Sequence, residues 1–395
     1  MREIDLLLTL TGALTAAVAL GYLTQRLGLS PIVGYLLAGL VVGPNTPGFI
    51  ANQHLADQLA EIGVILLMFG VGLHFKFDQL ARVWRVAAIG AVGQSAVATL
   101  LGCALALAFG WNGSAGLVFG LAISVASTVV LLRVLEDNRQ LHSPAGQIAV
   151  TWLIVEDLFT ALVLVAMPAF FAPQPAGLGV GWGLGWSLLK VALLILFVVV
   201  AGGRVIPWLL RRMAATQSRE LFTLTVLVLA LGIAAGAARA FDVSIAFGAF
   251  LAGLVVGRSE FSARAAADAL PMRDAFAVLF FVSIGMLLEP GSLLKTPGLI
   301  AATLAIILLG KPLAALAITA LLGQPWRVGL AIAVALAQIG EFSFILAEFA
   351  RELGVLSAGA LNALIAAAII SISVNPLLYR SVNMLAGEQP TPCAG

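Results

Sequence analysis

Apolar residues run in long blocks along the chain, and the positions that interrupt them are short clusters of charge, proline and glycine. A block of about 20 mostly apolar residues has the length of a membrane-spanning helix, and charges, Pro and Gly mark its ends. Thirteen such segments are predicted, at 4–24, 31–50, 58–76, 85–110, 115–135, 148–171, 186–206, 219–240, 244–258, 274–290, 297–322, 327–350 and 359–383. The second and ninth are short. The first is read as a helix, because Glu3 and Asp5 spoil the positive start of a secretory leader and no small-residue cleavage site follows Leu20. The glycines of Gly179–Gly185 are expected in an outer loop, with neither a strand before nor a helix N-terminus after them that would suit a nucleotide.

Composition removes the soluble alternatives. Of 395 residues 61% are hydrophobic and 10% charged, where an ordinary soluble domain carries about 25% charged residues. The expected class is therefore an all-α polytopic membrane protein with lipid as its surrounding medium. A net charge of +2 gives no case for nucleic acid, and Cys103 and Cys393 give none for a disulfide framework. No P-loop and no zinc-type His/Cys cluster occurs, so no cofactor is expected. His54, His74 and His142 fall near loop ends and read as surface residues.

Thirteen crossings put the termini on opposite sides, and the basic loops choose between the two orientations. With the N-terminus outside, fifteen Lys and Arg fall inside, Arg211 and Arg212 among them, against Arg2, Arg239, Lys295 and Arg351 outside. Lys190 and Lys311 lie within apolar spans. An N-out, C-in arrangement in a bacterial-type inner membrane is expected.

The halves repeat. Leu37-Ala38-Gly39-Leu40-Val41-Val42-Gly43 recurs letter for letter at Leu251–Gly257, and at a nearly equal offset Glu61 falls on Asp274 and Gly116 on Gly329. The second copy begins seven helices after the first, and an odd number of crossings inverts it. The expected division is a first inverted repeat at 1–185, a connector helix and linker at 186–218, a second repeat at 219–383 and a tail at 384–395. A site between inverted repeats faces either side after a rocking motion, which is the architecture of a secondary transporter. The spacings Gly39/Gly43 and Gly253/Gly257 are read as close helix packing.

Polar residues deep in apolar segments carry the candidate chemistry. Glu156 and Asp157 stand about ten residues into segment 6, near mid-membrane at about 1.5 Å per residue. One carboxylate there costs a few kcal/mol on insertion scales, so a pair calls for neighbouring charges or ions. Adjacent residues point about 100° apart on a helix, so the two acids are expected to have different partners. Lys311 in segment 11 reaches a similar depth and is the natural countercharge, whereas Lys190 near a span end is read as snorkelling. Segments 5 and 12 carry matched polar breaks, Ser124-Val125-Ala126-Ser127-Thr128 and Gln338-Ile339-Gly340-Glu341-Phe342-Ser343, with Thr128 falling on Glu341. Irregular backbone at that depth is tolerated only where protein buries it or a cavity adjoins it. Where half-helices meet, their positive N-terminal ends would be compensated by Glu341. The bland alternatives are an acid pair that only ties helices together and hydroxyls that back-bond within intact helices.

The Glu-Asp pair, the Lys311 helix, Leu279–Met286 and Gly340-Glu341-Phe342 together resemble the membrane domain of cation:proton antiporter family two. The Kef-type potassium/proton branch is nearest, with Nha- and Nap-type sodium/proton antiporters more distant. The resemblance covers nearly the whole chain. It implies the Nha-type antiporter fold, with thirteen transmembrane helices, two inverted repeats and crossed broken helices, in a lipid-embedded homodimer. It implies Asp157 as the shared proton and cation carboxylate, Glu156 paired with Lys311, Ser127 and Thr128 beside the cation, and Ser124, Gln338, Gly340 and Glu341 at the breaks. Glu156 departs from the Gln of many Kef-type proteins and the Asp of electrogenic sodium exchangers. Kef proteins also continue into a cytosolic nucleotide-binding domain, so regulation is expected from a separate subunit of that kind or from a C-terminal domain this sequence lacks.

The activity so implied is exchange of K+ or Na+ for protons by competition at Asp157, not enzymatic catalysis. Three other readings differ in what they need. A ligand-gated K+ efflux channel would use the same ionisable core with a continuous pore, and an organic-anion symporter of similar fold would sit poorly with the dense acids. An aspartyl protease would need its two acids on facing helices, and here they share one.

Overall fold

The computed structural model describes residues 2–46, 52–74, 83–171, 180–241, 245–291 and 296–385. Gly179, Lys76, Arg82, Lys295, Cys393 and residues 386–395 of the tail lie outside the described residues. In chain order the helices are α1 (Arg2–Arg26), α2 (Pro31–Val42), α3 (Gln53–His74), α4 (Trp84–Ala108), α5 (Gly113–Ser124), α6 (Thr128–Asp137), α7 (Pro144–Phe171) and α8 (Val180–Ala215). There follow α9 (Arg219–Phe241), α10 (Ile245–Gly257), α11 (Ser262–Met286), α12 (Pro297–Ala305), α13 (Lys311–Leu321), α14 (Trp326–Ala335), α15 (Glu341–Glu352) and α16 (Ala358–Leu385). Each apolar segment of the sequence is helical along most of its length. Among the described residues, eight helices are long and apolar enough to cross a membrane singly: α1, α3, α4, α7, α9, α11, the α12–α13 run and α16.

The segments expected to break do break, in register. The first broken pair is α5 and α6, the second α14 and α15, and Thr128 and Glu341 each begin the second half-helix. Segment 11 is interrupted differently, by a π turn at Ile306–Gly310 between α12 and α13. Pro312 has no N–H for the carbonyl four residues back and its ring crowds that carbonyl, and a wide turn accommodates both.

Several boundaries differ from the sequence reading: the second segment's helix ends at Val42 and not near 50, α3 starts at Gln53, and α8 runs on to Ala215. Residues 180–185 of the Gly179–Gly185 run are helical and not a loop, since α8 starts at Val180. Glycine costs about 1 kcal/mol per helical position, less than the several kcal/mol of leaving a backbone group bare in lipid. Likewise α11 starts at Ser262 and not near 274, because its polar first turns find partners on α9. The Arg264 guanidinium lies 4.2 Å from the Phe222 ring centre, and Asp268 accepts from Thr223 at 3.0 Å.

The chain divides into two compact units, 1–17, 41–76 and 161–283 in one, and 18–40, 77–160 and 284–395 in the other. In the first, α3 and α10 are in backbone contact through glycine. A Cβ on Gly253 would stand 2.1 Å from the Phe69 carbonyl oxygen, and one on Gly257 2.6 Å from that of Leu73. The Gly253/Gly257 spacing therefore serves close packing. The second unit holds both broken helices, and with them every residue singled out for chemistry.

Candidate functional site

Segments interrupted at mid-depth leave backbone groups that lipid cannot satisfy, so the partners of each group define the site. Extended residues Val125 to Ser127 separate α5 from α6, and residues 336 to 340 separate α14 from α15. The two breaks cross and take their hydrogen bonds from one another. The Gly340 N–H donates to the Val125 carbonyl at 3.2 Å, and Ser343 Oγ donates to the same oxygen at 3.3 Å. The Gln338 side chain spans the Ser127 peptide on both sides, accepting from the Ser127 N–H at 2.9 Å and donating to the Ser127 carbonyl at 3.0 Å. Only glycine fits the crossing point, where a Cβ on residue 340 would stand 2.5 Å from the Ala126 carbonyl oxygen.

The remaining loose ends are met by side chains. Ser127 Oγ caps α6 by accepting from the Val130 N–H at 3.3 Å, and Ser124 Oγ donates to the Leu121 carbonyl at 2.7 Å. Near the end of α14 the Val334 carbonyl accepts from Asn375 Nδ2 of α16 at 2.7 Å. Lys311, wholly buried, donates from Nζ to the Gln338 carbonyl at 3.1 Å. The lysine thus holds the second break through its backbone.

Helix α7 presents its two acids to the first break. Glu156 accepts from the Ala126 N–H at Oε2 and from the Trp152 indole at Oε1, both at 3.1 Å. Asp157 accepts from Thr128 Oγ1 at Oδ2, 3.1 Å away. Its other oxygen, Oδ1, is buried without a hydrogen-bond partner among the described residues. Neighbouring charges act on both acids: Lys311 on Glu156, and Glu341 with Glu156 on Asp157. Glu156 and Lys311 are not joined by direct contact among the described ion pairs; the ammonium reaches the Gln338 carbonyl, and its attraction to Glu156 acts across a gap.

The structure brings together every site residue singled out from the sequence. Glu156, Asp157, Lys311, Gln338, Ser124, Ser127 and Glu341 are each no more than 4% exposed, and Gly340 lies at the crossing. Thr128 is half-buried at the start of α6, whose positive end faces Asp157. Trp152, Ser343, Asn375 and the Ala126 amide complete the site without having been chosen from the sequence. Ser343 closed the second polar motif and had a spacing signal. A tryptophan in an apolar run and a backbone amide have none.

A buried carboxylate oxygen beside a hydroxyl offers the kind of oxygen donors that suit a hard cation. The sodium/hydrogen exchanger transmembrane family matches residues 13–382. YbaL of Escherichia coli (strain K12), named as a cation/proton antiporter, is 53% identical over 379 residues, which are 95% of this chain and 68% of that protein. The K(+) efflux antiporter KefB of Alkalimonas amylolytica is 31% identical over 91% of this chain and 54% of its own. The solved structure of the sodium proton antiporter MjNhaP1 from Methanocaldococcus jannaschii shares the fold, with a TM-score of 0.70 over 99% of this chain and 100% of that one at 16% identity. The crossed, oxygen-lined breaks and the span of these matches place the chain in the sodium/hydrogen exchanger transmembrane family, to which it belongs.

Proposed function

We propose that this integral membrane protein is a secondary antiporter that exchanges a monovalent cation, K+ or Na+, for protons, with Asp157 holding either one. The observation that carries the reading is charge balance. Glu156, Asp157, Glu341 and Lys311 are buried within one electrostatic neighbourhood, three acids against one base. Fully ionised, they leave a surplus of negative charge at a depth where each charge costs a few kcal/mol. A proton or a cation on Asp157 reduces that surplus, and its unpartnered Oδ1 is the free ligand for either. Thr128 and Ser127 would supply further oxygens. Competition for one carboxylate couples the two flows, since the site releases one species as it takes the other. The names of YbaL and KefB support the activity, and the MjNhaP1 likeness supports the fold.

The arrangement that accompanies this reading has thirteen crossings, N-terminus outside and C-terminus inside in a bacterial-type inner membrane. Repeats 1–185 and 219–383 are joined by the 186–218 connector in each protomer of a homodimer, and the site is exposed to the two sides in turn. The skewed distribution of basic residues supports the orientation.

Reconstitution tests it. Proteoliposomes holding a pH-sensitive dye are given K+, Na+ and Li+ in turn, with and without a clamped voltage. The expected result is a cation-dependent pH change in the unaltered protein that Asp157→Asn abolishes. Exchange retained in Asp157→Asn removes that residue from the role, and unitary currents in single-channel recording would replace the carrier with a pore.

A further inference from the structure

Gln94 on α4 is wholly buried, yet neither its Nε2 nor its Oε1 has a hydrogen-bond partner among the described residues. A buried carboxamide with nothing to bond is costly, and internal water is the usual remedy where the surroundings are polar. Its neighbours on α4 place it. One turn before it, Gly90 lies so close to Trp152 that a Cβ there would stand 1.9 Å from the indole Cζ3. That indole donates to Glu156 Oε1.

Beyond Gln94, α4 meets α5. A Cβ on Gly120 would stand 2.2 Å from the Thr99 carbonyl oxygen, and one on Gly116 3.1 Å from Cys103 Sγ, so the two helices run antiparallel. Continuing that register by one turn brings Ser124, the end of α5, level with Ser95, next to Gln94. Two residues further on, the Ala126 N–H donates to Glu156 Oε2. The α4 stretch that carries Gln94 therefore runs from the Trp152 contact at Gly90 to the level of the end of α5, and the Glu156 carboxylate is held by Trp152 and by the backbone just past that end. Thr99 Oγ1 on α4 and Thr303 Oγ1 on α12, which packs against α4, are likewise buried without partners.

We propose that Gln94 is a further positioning residue for the transport reaction, holding an internal water beside Glu156. The carboxamide offers the water both a donor and an acceptor, and the Glu156 oxygens have lone pairs beyond those given to Trp152 and Ala126. The water ties α4 to the carboxylate that anchors the first break, and so fixes the backbone next to Ser127 and Thr128 where the cation is taken up. Partners once removed from a bound cation act in this way, orienting the groups that touch it.

Two measurements test the assignment. X-ray radiolytic footprinting of the unaltered protein should oxidise Trp152, which has no exposure of its own, and Gln94→Leu should protect it. In proteoliposomes, Gln94→Leu should raise the cation KM by roughly 10-fold, as loss of such an orienting group does, with the maximal rate little changed. A residue that only fills space would alter the folded yield and leave KM alone. Gln94→Met, unbranched and of similar volume, serves if the leucine variant does not fold. An unlabelled Trp152 in the unaltered protein overturns the water site, and a cation KM unchanged in a folded variant overturns the positioning role. The kinetic arm rests on the antiport reading, whereas the footprint does not. A labelled Trp152 in a protein without exchange would support the water and count against antiport alone.

Discussion

Two acids adjacent in sequence have separate duties because a helix turns them apart. Glu156 is held by a backbone amide and an indole, and Asp157 by one hydroxyl with an oxygen left over. The first is an anchored charge and the second has an oxygen to spare, which is why the proposed exchange role is given to Asp157. Lys311 serves both a charge and a carbonyl, so its loss strips the Gln338 oxygen of its donor and Glu156 of its nearest cation. Lys311→Ala should cost about 3 kcal/mol, read as a lowered unfolding midpoint in detergent. A midpoint and a transport pH profile both unchanged would mean that the lysine carries no weight in the cluster. The acids, the lysine and the polar breaks were legible in the sequence because charge deep in an apolar run costs a few kcal/mol and calls for partners. The reach of Lys311 was not: a long flexible stem leaves its target open, and a backbone carbonyl does not show in a sequence.

At the scale of the element, both breaks were legible because inverted copies carried polar residues at matching positions, and a matched irregularity is hard to assign to chance. Their mutual hydrogen bonding was not, since it depends on how two distant segments cross. Gly340 is where that crossing leaves least room. Gly340→Ala must push a Cβ against the Ala126 carbonyl, and the cost should be about 3 kcal/mol. Gly232→Ala on α9, where nothing lies within 4 Å, should instead be stabilising by about 0.5–1 kcal/mol. Thermal midpoints of the two variants check both, and equal shifts would sink the close-approach argument. The helical run over 181–185 escaped the sequence reading because glycine signals a loop in water, and lipid reverses that inference by offering the backbone no other partner.

For the molecule as a whole, an excess of buried acid makes the folded state a ligand-dependent quantity. Whichever cation sits at Asp157 should raise the unfolding midpoint with concentration, by about 2.7 kcal/mol at a hundred times its Kd. Asp157→Asn should abolish the rise, and a rise that survives would put the cation elsewhere. The all-helical, membrane-spanning character of the chain could be read from hydropathy, because lipid permits few spanning structures. The grouping of helices into two units could not. It follows from contacts such as Gly21 against Gly34, where a Cβ on Gly34 would stand 2.5 Å from the opposing backbone, and such contacts leave no period in the sequence. One consequence follows from the bonds that Val125 and Ser127 share with Gln338 and Gly340. Neither arm of that cross can be drawn away without stranding amides in oil, so under the proposed antiport the ion's gateway would not open by parting its own jaws. In the proposed exchange the cross would instead be carried as one piece, like the hub of a turnstile.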